Sequence, residues 1–246
     1  MPPKTLIFIP TYNERENAPR MCEEIQKLGI AADVLICDDN SPDGTGKVLE
    51  DICPHYPFLS IHHRTGKLGI GSAHLDGITW AYEKGYERLV TMDCDFTHSP
   101  TDIPKMIGAL DGYDVIVGSR FLEDESLPGW SPVRKLMTGF GHFLTQSLLG
   151  IRQDASGAFR VYDLTRIPPE LFKLVTAKGY AFFFESLFIL SCNKFKINEI
   201  PIVLPSRSSG ASKMSLREIW RGVARLFLVS ALSIIQPRRF ILPRQT

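Results

Sequence analysis

Apolar residues fall along this chain in short runs separated by stretches with a one-sided, helical period. Runs of strand character recur at residues 5–9, 33–37, 58–62, 88–92 and 114–118. Several are almost continuously apolar, as strands covered on both faces of a parallel sheet are. Helix-competent segments separate most of them, the alternation expected of βα units. Over residues 14–28 the groups Met21, Ile25 and Leu28 recur on one side, with acids at the start. Pro19 fits only the first turn of a helix, so the spacing predicts a start nearer Asn17. Residues 133–150 read as a second apolar helix, carrying Phe140, Phe143, Leu144, Leu148 and Leu149 beside small residues. The core and an interface suit that pattern equally. No repeat and no Gly-, Ser- or Pro-rich linker divides the chain, so one α/β domain is the economical organisation.

Composition changes this picture little, but charge does. The 246 residues are 44% apolar and 22% charged, an ordinary globular balance. The net charge of +1 conceals an asymmetry: from Lys213 onward seven basic residues stand against Glu218 alone, +6 for the tail and −5 for the rest. Arg217, Arg221 and Arg225 recur every four residues there, ahead of the apolar run 226–235 and Arg238-Arg239. This is the pattern of a basic amphipathic helix on an anionic membrane surface, or of a docking site for a membrane partner subunit. The run is about half the roughly 20 residues that span a bilayer. Five cysteines without a CxxC pair argue against a disulfide framework or zinc site and for a reducing compartment. The apolar run near the N-terminus is too short for a signal peptide, and a cytoplasmic location is expected. No nucleic-acid partner is expected.

The candidate chemistry sits where apolar runs stop. Leu89-Val90-Thr91-Met92 leads into Asp93-Cys94-Asp95, two carboxylates that would point the same way on an extended backbone. Ligands of open α/β sheets bind beyond the carboxyl ends of the strands, and a hard divalent ion is held by one or two carboxylates together with phosphate oxygens. An earlier run ends in Pro10-Thr11-Tyr12-Asn13-Glu14, and another in Cys37-Asp38-Asp39-Asn40-Ser41-Pro42-Asp43. One acid there is explained by capping a helix, whereas three suggest acceptors for a ribose or a base. The Gly-rich turn Arg64-Thr65-Gly66-Lys67-Leu68-Gly69-Ile70-Gly71 has neither Walker spacing nor the third glycine of a dinucleotide fingerprint, which counts against an oxidoreductase. His98 reads as a loop residue rather than a base.

Taken in order, these strand ends resemble the polyprenyl-phosphate sugar transferases, most closely the dolichyl-phosphate mannose synthases, over residues 5–215. The resemblance continues through Gly118-Ser119-Arg120-Phe121, Ser156-Gly157-Ala158-Phe159-Arg160 and Arg207-Ser208-Ser209-Gly210-Ala211-Ser212-Lys213. It implies an inverting transferase of GT-A fold, a Rossmann-like domain over residues 1–212 with residues 213–246 as an amphipathic tail. It implies transfer of mannose from GDP-mannose to dolichyl or another polyprenyl phosphate, giving a β-linked product, with Mg²⁺ or Mn²⁺ as cofactor. In that scheme Pro10, Tyr12 and Glu14 frame the base and ribose of the nucleotide-sugar donor, completed by Asp39 and the Cys37 backbone. Asp93, the Cys94 backbone and Asp95 hold the diphosphate through the metal, with Thr97 at the third metal position offering only a neutral hydroxyl. Arg120, Arg207 and Lys213 surround the phosphates, and Arg120, Arg134 and Thr138 are placed to offset and aim the acceptor phosphate. The 133–150 helix would then guide the polyprenyl chain. Phe183 stands where relatives often carry glutamine. UDP-glucose or another sugar nucleotide with the same lipid, and a non-catalytic nucleotide-sugar-binding subunit, are the alternatives. The expected location is peripheral, on the cytoplasmic face of a membrane.

Overall fold

The computed structural model describes residues 4–206 and 216–243. Its centre is a seven-stranded sheet of order β3-β2-β1-β4-β6-β5-β7. The strands are β1 (Thr5–Thr11), β2 (Ala32–Asp38), β3 (Leu59–His63), β4 (Arg88–Thr91), β5 (Val115–Ser119), β6 (Arg160–Asp163) and β7 (Ile197–Pro201). Only β6 runs antiparallel to its neighbours β4 and β5; the other pairings are parallel. Five of these strands match the apolar runs. The short, mixed runs of β6 and β7 lack that continuity, and both are placed by pairing with β5 rather than by their own pattern.

Side-chain alternation along the strands divides the interior into two layers. From β1, Leu6 and Phe8 face one layer, shared with α3 (Ile70–Glu83), α7 (Ala181–Cys192) and α8 (Leu216–Ile235). Ile7 and Ile9 face the other, filled by α1 (Asn17–Lys27), α2 (Thr45–Ile52) and α4 (Ile103–Gly108). Helix α1 does begin at Asn17, which puts Pro19 in the first turn, where no intrahelical donor is required. Pro10 is tolerated in a central strand because it lies past the last β1–β4 pair, Phe8 opposite Thr91.

Two further helices, α5 (Pro132–Leu149) and the short α6 (Glu170–Lys173), complete the set. Helix α5 is not core. Leu136 is 74% exposed, Phe140 and Phe143 59% each, while only Thr145 and Leu149 are buried. It lies against α8, with Ser230 Oγ donating to the Leu148 carbonyl at 3.2 Å.

The tail is docked to the domain. Leu226, Val229 and Phe240 enter the core, and Arg225 turns inward onto Glu185 of α7. The expectation that Arg217, Arg221 and Arg225 share an outward face fails at Arg225, because the Glu185 carboxylate is buried there and takes its charge. Outward, α8 shows Arg217 and Arg221 with Trp220, Phe227, Ile234 and Ile235. Among the described residues no helix is long and apolar enough to cross a membrane.

Candidate active site

The carboxyl ends of β1, β2, β4 and β5 open on one edge of the sheet, and the sequence-predicted groups gather there. The loops after β1 and β2 are laced together. Backbone N–H groups of Asn13, Glu14 and Arg15 donate to Ser41 Oγ, Thr45 Oγ1 and Asp43 Oδ2 at 3.0, 3.0 and 3.2 Å. The left-handed backbone of Asn13 and Asn40 lets both loops make these turns. Glu14 is buried, its Oε2 accepting from Asn17 Nδ2 at 2.7 Å. The Lys67 ammonium lies 4.3 Å from the centre of the Tyr12 ring. Pro10 and Cys37 are buried backbone neighbours in register. Burial pushes the Cys37 thiol up to about 12, so it stays un-ionised at neutral pH.

The three acids after β2 do not all await a ligand, which corrects that inference. Asp38 accepts from the Ser41 amide and hydroxyl, and Asp43 from Thr45 and Arg15. Asp39 Oδ1 is taken by Nη1 of the buried Arg64, which also donates to Asp76 at 2.8 Å and Ser72 at 2.6 Å. Burial raises the Asp39 carboxyl despite Arg64. Arg64 was visible in the sequence only as part of a basic turn. Gly69 and Gly71 in that turn serve packing: a Cβ at either would come within 2.5 Å of the Lys178 carbonyl or Phe182 Cβ. A cleft of about 450 Å³ lies between this turn, residues 177–181 and the first turns of α8. Lys67, Lys178 and Arg221 line it against Glu218.

Strand β4 ends at Thr91, so Asp93 and Asp95 sit on an irregular turn and not, as expected, on an extended strand end. The turn has its own logic. The Asp95 carboxylate is buried and accepts from the Thr97 amide and hydroxyl, at 3.1 and 2.5 Å. Thr97 thus orients Asp95. The Asp93 side chain stays one-third exposed, and its amide donates to His98 Nδ1 at 3.0 Å. His98 is buried against Phe159, and burial holds its imidazole below the usual value. Its Nδ1 accepts from the Asp93 amide and so helps to shape the turn. Cys94 is buried between the acids.

Arg120 follows β5 and meets Asp154, a residue the sequence reading did not single out. Nε and Nη2 donate to its two oxygens at 2.7 and 2.6 Å, and Asp154 is fully buried. Burial pushes the Asp154 carboxyl up, but Arg120 outweighs it and holds the group below the usual carboxylate range. Burial likewise opposes the Arg120 charge, and Asp154 and then Asp93 outweigh it. Arg134, on the first turn of α5, lies 3.5 Å from the centre of the Trp130 ring, and Thr138 is half-buried one turn on. Phe183, which stands where relatives often carry glutamine, is core, edge-on to His74. Arg207 and Lys213 lie outside the described residues.

Asp93 offers a part-exposed carboxylate and Asp95 a buried one, both hard oxygen donors. Among the described residues no group of three or more His, Cys, Asp or Glu converges to hold a metal. The donor set therefore fits an ion that takes its remaining ligands from phosphate oxygens and water, as Mg²⁺ does.

The sequence profile of glycosyl transferase family 2 matches residues 6–165. The chain is 34% identical to the polyprenol monophosphomannose synthase of Mycolicibacterium smegmatis over 86% of its length and 81% of that protein. It is 33% identical to the undecaprenyl-phosphate mannosyltransferase of Micrococcus luteus over 86% of its length and 88% of that protein. In fold it is similar to glucosyl-3-phosphoglycerate synthase from Mycobacterium tuberculosis, solved with Mn²⁺, UDP and glucosyl-3-phosphoglycerate, with a TM-score of 0.64. That pair shares 17% identity over 99% of this chain and 82% of the other. A mannosyltransferase from Pyrobaculum calidifontis, solved with GDP-mannose and Mn²⁺, gives a TM-score of 0.58 at 16% identity, over 95% of this chain and 64% of the other. The match across β1 to β6 takes in the laced loops, the Asp93–Asp95 turn and Arg120, and with it the chain belongs to glycosyl transferase family 2 and is a glycosyltransferase.

Proposed function

We propose that this glycosyltransferase moves mannose from GDP-mannose to the phosphate of dolichyl or another polyprenyl phosphate, inverting an α-linked donor to a β-linked product. The observation that carries this reading is one juxtaposition. Beside Arg120, which is near enough to Asp93 to be stabilised by its charge, stands a helix, α5, whose apolar side chains Leu136, Phe140 and Phe143 are exposed rather than buried. His142 of α5 stacks on Phe121, next to Arg120, at 3.9 Å. A site for phosphates is thus joined to an apolar surface, which suits a lipid phosphate and not a soluble acceptor. The names of the two mannosyl-transferring relatives support the sugar and the lipid class.

A phosphate oxygen of the acceptor forms the new bond to C1 as the C1–O bond to the diphosphate breaks, and the bonding pair leaves with GDP. The acceptor is already an anion and needs no base. Asp93 and Asp95 would hold a divalent ion, Mg²⁺ or Mn²⁺, which when bound neutralises charge on the departing diphosphate. The Mn²⁺ in the two fold relatives supports that cofactor. Glu14, Tyr12 and Asp39 hold the nucleoside, and the cationic rim of Lys67, Lys178 and Arg221 suits an anionic ligand. Arg120 and Arg134 offset the phosphates, with Thr138 as a hydroxyl donor.

The exposed apolar stripes of α5 and α8 support peripheral attachment to the cytoplasmic face of a membrane, directly or through a membrane partner subunit. The test is incubation of the full chain with labelled GDP-mannose, UDP-glucose and other sugar nucleotides, Mg²⁺ or Mn²⁺ and a short polyprenyl phosphate, followed by lipid extraction. Mannosyl lipid should form, and Asp95→Asn should abolish it while leaving thermal melting unchanged. No labelled lipid with any donor would refute the reading, and label from UDP-glucose alone would reassign the donor.

A further inference from the structure

Of the three guanidinium nitrogens of Arg120, two are spoken for inside the protein. Nε and Nη2 end on Asp154, and Nη2 also donates to Ser156 Oγ. Among the described residues Nη1 alone has no protein acceptor. The clamp is itself held from behind. The Asp154 amide donates to Glu199 Oε1 on β7 at 2.7 Å, and Asp154 Oδ1 accepts from the amide and hydroxyl of Ser156 at 3.2 Å each. The same turn is tied to α7 by Arg160, which is fully buried yet, among the described residues, donates only to neutral oxygens. Its partners include the carbonyls of Gly157 at 2.9 Å, Ala155 at 3.1 Å and Phe183 at 2.8 Å. Nothing in the mechanism above uses Asp154, Ser156 or Glu199.

We propose that Asp154, braced by Ser156 and Glu199, is a positioning residue that aims the Nη1 edge of Arg120 at the phosphate charge beside Asp93. This rests on the reading of the site as one that releases a nucleoside diphosphate. A free arginine samples many rotamers, and ordering it at each turnover would be charged against the barrier; the clamp orders it once, during folding. A diphosphate carries more charge after it leaves the sugar than before, so the aimed donor favours the departing group over the intact donor.

The experiment is a double-mutant cycle on the full chain. Asp154→Asn, with its melting transition retained, should lower kcat about 100-fold. The KM for GDP-mannose should stay within about threefold. Added to Arg120→Ala, it should cost nothing further, because Asp154 acts only through Arg120. A merely structural residue would give additive losses. Calorimetric affinity for inorganic pyrophosphate with Mg²⁺ should show the same non-additivity, with about a tenfold loss in each single variant. If Asp154→Asn gives no cooperative melt, Ser156→Ala takes its place in both measurements. Turnover of the clamp variant within twofold of the parent, or additive losses in the cycle, would overturn the proposal. If the parent transfers no mannose but pyrophosphate binding stays non-additive, the substrate reading fails and the clamp stands.

Discussion

Side by side in this molecule, residues of one type do opposite work according to what surrounds them. His74 is fully enclosed by Phe8, Phe182 and Phe183, its Nε2 has no hydrogen-bond partner among the described residues, and burial lowers its pKa to about 3. The folded protein must keep it neutral, whereas the unfolded chain protonates it near the usual value of about 6.5. Its contribution is therefore intact above about pH 6.5 and declines as pH falls toward about 3, by up to about 1.4 kcal/mol per pH unit. Denaturant unfolding at pH 7 and pH 5 should show a larger loss for the parent than for His74→Phe; equal losses would mean His74 does not titrate this way. At the site, Asp93, Asp95 and Arg120 were legible because their residue types announce charge at the ends of apolar runs. Their fixers were not: nothing in the local pattern around Asp154, or in the basic turn around Arg64, points to a partner, and their pairing depends on contacts 34 and 25 residues away along the chain.

The same division holds among elements. β1, β2 and β4 carry their apolar runs into the sheet centre and were readable as strands, as was α1 with its Pro19 start. β6 and β7 were not, because a strand of four or five residues with polar members is specified by the neighbours it pairs with. The tail was misread at Arg225 because helical spacing places a side chain on a face but says nothing of a buried acid waiting opposite. Arg225→Met leaves the Glu185 charge enclosed without its partner. The cost should fall near the lower end of about 3–5 kcal/mol, since Arg225 is 23% exposed, and Arg225→Met with Glu185→Leu should recover most of it. Chemical denaturation of both variants checks this. Gly71→Ala should cost about 1–3 kcal/mol by forcing α3 off the 177–182 segment, with a lowered thermal midpoint as the readout.

At the scale of the whole molecule, helices α5 and α8 pack against each other, and each leaves large apolar side chains exposed on its outer face. Phe140→Ser with Phe143→Ser should leave the melting transition nearly unchanged, because both side chains are already in water, and should weaken sedimentation with anionic vesicles. Undiminished co-sedimentation would remove α5 from the membrane contact. The antiparallel run of β6 bears on this surface too. Because β6 alone starts at the edge where its neighbours end, the chain passes from α5 into the Asp154 turn and the sheet within residues 150–160. Helix α5 and the Asp154–Ser156 part of the Arg120 clamp are therefore one contiguous cassette. On the acceptor role proposed for α5, residues 131–160 exchanged as a unit between relatives should carry acceptor preference together with the geometry that serves it, whereas grafting the helix alone should divorce the two.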